Sequence, residues 1–179
     1  MDDCYVRVTN TSTAPHTWTS IYTIDFVMTF GELGVYRFGM GARFLSVTIL
    51  GTDTIDVAYL TFNPYQSQSG TVVRSDIYGE DADNAATFST VADYNARAKT
   101  AAVVADGIGA WTLDTWVNSP SIVTPVMTIK NRAGWASGNA MVFKWEDGGS
   151  DNEACRRADT YNSSASLAPK LHIEYTAGG

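Results

Sequence analysis

Short runs with an apolar period of two recur along most of this chain, separated by turn residues, which is the pattern of strands that turn one face to a core. Residues 4–9 form the first such run. A polar loop over 10–20 with Pro15 follows, and 21–26 is strand-like again. Residues 35–49 read as two short strands interrupted at Gly39-Met40-Gly41, where glycine permits a bulge or corner. The run 54–62 is apolar on both faces near its end, as in a central strand covered above and below. The run 71–78 leads into an acidic turn over 79–84.

Helical signals are few. Residues 90–97 predict two turns of helix, with Asp93 near the start and Arg97 near the end, as the helix dipole prefers. An extended stretch at 99–104 and a connection at 109–118 precede Ser119-Pro120, which can open a second helix. That helix places Ile122, Val126 and Ile129 on one face. Pro125 must kink it or start it anew, and a restart at Thr124-Pro125 is the preferred reading. Gly134 and Gly138 bracket a turn before a half-buried strand at 139–145, with Met141, Phe143 and Trp145 toward the core and Val142, Lys144 and Glu146 on a wetter side. A loop rich in Gly and Asp, a short segment at 158–161 and a strand at 169–175 close the chain. In that last strand Leu171, Ile173 and Tyr175 point one way and Lys170, His172 and Glu174 the other. With no internal repeat visible, residues 1–179 are expected to form one all-β domain, an antiparallel sandwich of the jelly-roll kind with one or two short accessory helices.

Composition narrows the class. The 179 residues are 45% hydrophobic and only 17% charged, below the ~25% charge usual for soluble domains, so Ser, Thr, Asn and Gly carry much of the polar surface. That profile suits a virion or extracellular β-protein. The net charge of −7 and the scattered Lys and Arg argue against nucleic acid as a partner. No run approaches ~18 apolar residues, so membrane insertion is not expected. The start Met1-Asp2-Asp3-Cys4 lacks the regions of a secretory signal, so either a signal has been trimmed away or the chain is exported by another route, such as phage assembly and lysis, and Met1 favours the second.

Candidate chemistry is sparse. Cys4 and Cys155 are too far apart for a CxxC pair and lack a nearby His, which argues against zinc. They read either as a disulfide, worth ~4 kcal/mol for so long a loop, or as two buried thiols. His16 and His172 both read as surface histidines outside any catalytic motif, so no enzyme is expected. A glycosidase pair among Glu80, Asp81, Asp83, Asp114 and Glu146 is a minor alternative. Glu80, Asp81, Asp83 and Asn84 alternate oxygen donors that could hold a structural calcium, the one cofactor suggested, against the plainer reading of a turn and helix-capping cluster. For sugar contact, Trp111 and Trp116, with Asp114 and Asn118 beside them, are the first platform, and Trp18 is next. Burial as loop anchors is the competing reading. Trp135 and Trp145 are expected to pack under the helix and in the sheet.

Several ordered motifs carry a resemblance: Ile77-Tyr-Gly-Glu80, Asp83-Asn-Ala-Ala-Thr-Phe88, Arg97-Ala-Lys-Thr100, Ser119-Pro120, 131–139 and the closing 168–175. Together, best from about Arg37 onward, they resemble DNRLRE-type, carbohydrate-binding-module-like jelly rolls of bacterial extracellular and phage proteins. The resemblance implies a β-sandwich and a non-catalytic accessory role. Two readings follow. One is a structural component of a virion or surface assembly, decoration or fibre-like, that contacts copies of itself or other capsid, fibre or surface proteins and has capacity for cell-surface glycan adhesion. The other is a carbohydrate-binding module of a secreted polysaccharide-degrading system.

Overall fold

The described residues, 2–68 and 72–178, of the computed structural model contain eleven strands and two short helices. The protein is an all-β antiparallel sandwich. The strands are β1 Asp2–Thr9, β2 Ser20–Tyr22, β3 Val27–Leu33, β4 Tyr36–Phe44, β5 Thr54–Phe62, β6 Ser75–Gly79, β7 Val103–Val104, β8 Val117–Asn118, β9 Met141–Asp147, β10 Cys155–Asp159 and β11 Lys170–Thr176. The larger sheet runs β10-β3-β4-β9-β6-β7, with β1 also paired to β4 and carrying β2. The smaller sheet is β11-β5-β8.

The main core lies between the sheets, where Met28, Phe30, Met40, Leu60, Phe62, Phe143 and Trp145 are all buried. The Phe30 and Trp145 rings stack at 4.3 Å. Helix α2, Val123–Lys130, closes this core with Ile122, Val126 and Ile129. It begins beside Thr124-Pro125, close to the preferred restart. Pro125 is accommodated because it sits in the first turn, where its missing N–H would have no partner within the helix. Ser119 does not cap a helix. Its hydroxyl accepts from the Leu60 N–H and donates to the Pro120 carbonyl, tying the connection to β5.

A second apolar cluster covers the other face of the large sheet: Cys4, Val6 and Val8 of β1 meet Trp18, Phe88, Tyr94 and Val142. Helix α1, Val91–Ala96, supplies Tyr94 to this roof. It falls where residues 90–97 predicted it, with the Thr90 hydroxyl accepting from Asp93 N–H and Arg97 paired to Asp93 at 2.8 Å.

This second layer corrects several expectations. All seven residues of β9 are buried, so there is no wet side for Val142, Lys144 and Glu146, because α1 and the 10–19 loop roof it. The 35–49 segment is not broken at its glycines. β4 runs straight through them, paired to β1 from Asp2↔Arg43 to Thr9↔Tyr36. The glycines serve close packing instead: a Cβ on Gly41 would stand 2.6 Å from the Phe88 ring. Strand β5 is central in its own sheet but covered on one face only, with Ile55, Ala58, Leu60 and Phe62 buried and Thr54 and Asp56 exposed. Strand structure in 21–26 stops at Tyr22, and in 99–104 it is confined to Val103–Val104. The 71–78 run forms a strand only from Ser75, and Thr71 lies outside the described residues. The 158–161 segment is the end of β10, which begins at Cys155. The two cysteines are free and buried in separate places. Cys4 lies under Phe88 beside Gly41, and Cys155 accepts from Gln68 Nε2 at 2.9 Å. Burial pushes both thiols up.

Candidate functional site

The residues nominated for sugar contact do not share one surface. Trp18 and Trp111 are core residues at 2% and 5% exposure. Trp111 stacks on Phe62 at 6.1 Å and meets Trp145 edge-on, while Trp18 lies beside His16 in the roof. Trp116, Asp114 and Asn118 are exposed. The Lys170 ammonium lies 3.7 Å from the Trp116 ring centroid, and Asn118 accepts from the Thr61 hydroxyl. On the same sheet the Tyr59 and His172 rings stack on each other at 4.5 Å. These ring faces are thus partly occupied by neighbouring side chains. Trp135 is half-buried and donates to the Ile49 carbonyl at 3.1 Å.

The acidic turn is engaged by arginines. Glu80 pairs with Arg97 at 2.7 Å, and Asp81 and Asp83 both take hydrogen bonds from Arg132. Asn84 accepts from the Ala140 N–H, and Asn139 donates to the Asp83 carbonyl. Among the described residues no group of three or more His, Cys, Asp or Glu could hold a metal ion. Glu80 thus holds the end of α1, while Asp81, Asp83 and Asn84 fasten the 131–140 turn to the segment after β6. Glu146 is likewise held by Lys99 at 2.6 Å, so of the carboxylates weighed as a glycosidase pair only Asp114 is not drawn into an ion pair among the described residues.

His16 is not a surface residue. It is buried between Ser12 Oγ on Nδ1 and Asp147 Oδ2 on Nε2, each at 3.1 Å. Asp147 also accepts from Arg37 at 2.9 Å and from the Gly149 and Ser150 N–H groups. Burial alone would raise its pKa, but the hydrogen bonds from His16, Ser150 and Arg37 prevail and hold it down at about 2. The order Ser-His-Asp resembles a hydrolytic relay, which also needs free N–H donors for an oxyanion. Of the neighbouring amides, Ser12 N donates to Thr9 O, Gly148 N to Arg74 O, and Gly149 N and Ser150 N to Asp147. The constellation therefore pins the 10–19 loop onto the end of β9.

The most site-like feature is a groove that sequence reasoning missed, with a volume of about 360 Å³. Tyr5 and Arg7 of β1 and Phe38 of β4 form one wall; Asp25, Phe26, Tyr65 and Arg157 of β10 line the rest. Alternation along β1 sends Cys4, Val6 and Val8 into the roof and leaves Tyr5 and Arg7 on the opposite face. Tyr5 stacks on Tyr22 at 4.5 Å, and its hydroxyl donates to Asp25 Oδ2 at 3.1 Å. Burial, with the Asp25 charge, pushes that hydroxyl up to about 12, so it remains a donor at ordinary pH. Phe26 is 63% exposed at the rim and Ile24 beside it 84%. The sequence signal was present in the Tyr5/Arg7 alternation, but only the fold brings Asp25, Phe26, Tyr65 and Arg157 around those two residues.

No protein-family model and no curated protein matches this chain. The fold class therefore stands on the strands themselves, and the function on the chemistry of the groove.

Proposed function

We propose that this chain is a non-catalytic structural module of a virion or extracellular surface assembly, and that it contacts glycan through the groove of Tyr5, Phe38 and Tyr65. The observation that carries this reading is the pairing of aromatic walls with hydrogen-bonding groups, Asp25 and the Tyr5 hydroxyl, in one open hollow. Pyranose rings offer apolar faces to aromatic walls and hydroxyls to such acceptors and donors. Phe26, exposed at the rim, and the exposed Ile24 two residues before it suit contact with a neighbouring protein copy. A carbohydrate-binding module of a secreted polysaccharide-degrading system would use the same groove, and a gene neighbourhood of glycoside hydrolases rather than portal and tail genes would select it.

A glycan array with wild type, Tyr65→Ala and Trp116→Ala tests the reading. Wild type should capture at least one glycan, with at least tenfold loss for Tyr65→Ala and little change for Trp116→Ala. A folded wild type that captures none rejects glycan contact.

A further inference from the structure

Charge is distributed unevenly among the eight arginines of the chain. Arg37, Arg43, Arg74, Arg97 and Arg132 each hold a carboxylate. Arg156 is buried and donates to the carbonyls of Ile108, Gly109 and Cys155. Among the described residues only Arg7 and Arg157 have neither arrangement, and both line the groove.

Their guanidinium groups are placed rather than loose. Arg7 lies 4.4 Å from the Tyr36 ring centroid and 5.2 Å from that of Tyr22. Arg157 lies 5.4 Å from the Tyr65 centroid and donates Nη1 to Gln66 at 3.1 Å, while its Nε–H is buried with no acceptor. Asp25 is the one carboxylate lining the groove. The groove thus carries a net positive charge in a chain of net charge −7.

Resting on the glycan reading above, we propose that the groove selects a carboxylate-bearing sugar, a segment of a uronic-acid polysaccharide. A planar carboxylate matches the fork of a guanidinium, and the pyranose that carries it can lie against the exposed Tyr65. Asp25 and the Tyr5 hydroxyl are then placed for the sugar hydroxyls. Asp25 also sets the charge density of the ligand: it tolerates one negative charge per ring and repels a densely charged polyphosphate or sulfated chain.

The test is titration calorimetry of the full chain with oligogalacturonate, with the same oligosaccharide after carboxyl reduction, and with heparin oligosaccharide. Wild type should bind the uronate at least tenfold more tightly than the reduced form and more tightly than heparin. Arg7→Gln and Arg157→Gln should each lose at least tenfold in uronate affinity, with unchanged circular dichroism. Arg74→Gln, on a different surface, should behave as wild type. Equal binding of uronate and reduced sugar overturns the acid selectivity and leaves the glycan reading intact. Binding of neither sugar overturns the proposal, and the glycan reading falls with it only if the array is also empty. Tighter binding of heparin overturns the role given to Asp25.

Discussion

The ammonium of Lys144 donates to the Tyr94 carbonyl at 2.7 Å and sits 4.0 Å from the centroid of that residue's ring. A strand of the large sheet is thereby stapled to the helix that roofs it, through a lysine with no solvent exposure.

Burial lowers the pKa of Lys144 from 10.5 to about 8, against the opposing pull of the Glu146 charge. The unfolded chain therefore binds one more proton than the folded chain between about pH 8 and 10.5, so this group's contribution rises with pH across that window. The stability of wild type relative to Lys144→Met should increase by roughly 3 kcal/mol between those limits. Urea unfolding of both proteins at each pH measures it; parallel profiles would show that the amine is solvated.

Asp147 gives a slope of the same sign in the acid range. Its folded pKa of about 2 lies below the ordinary 3.8, so its contribution is present above about pH 3.8 and is lost as pH falls toward 2. Asp147→Asn should flatten this part of the acid unfolding curve. At neutral pH it should cost about 2–3 kcal/mol, because Arg37 is left with only the more distant Glu32, at 3.5 Å, and His16 loses its carboxylate partner. Denaturant midpoints at pH 7, 4 and 2.5 decide the matter.

The close approach of β4 to its roof predicts that Gly41→Ala destabilises by about 1–3 kcal/mol, since the added methyl would meet the Phe88 ring. Phe88→Leu removes the far edge of that ring. A double-mutant cycle should therefore show coupling, with the second substitution recovering part of the first loss. Strict additivity would place the strain elsewhere.

Trp111 and Trp116 look alike in sequence and should separate sharply in experiment. Trp111→Ala should cost about 3–5 kcal/mol of stability. Trp116→Ala should cost less than ~1 kcal/mol, since that ring is 37% exposed and packs against one lysine. Thermal unfolding of both variants reads the difference directly.

Where the local rule matched a local cause, sequence reasoning reached the structure. Helix α1 was legible because Asp93 falls in its first turn and Thr90 and Arg97 bound it within eight residues, although the cap formed by Thr90 and the Asp93–Arg97 pair were not read. The alternation at Cys4, Val6 and Val8 likewise marked β1. Lys144 and Glu146 were misread because alternation reports which residues are polar, not whether another layer lies above them. His16 was misread for a related reason: Asp147, its partner, lies 131 positions away.

By itself the sequence determined that this is a strand-built chain with two minor helices, because side-chain periodicity and capping act over a few residues. Tertiary structure alone decided that the large sheet is covered on both faces, that the acidic turn is spent on Arg97 and Arg132, and that two arginines are left without a carboxylate in one groove. Those outcomes depend on which distant segments meet, and Coulomb pairing and desolvation act through space rather than along the chain.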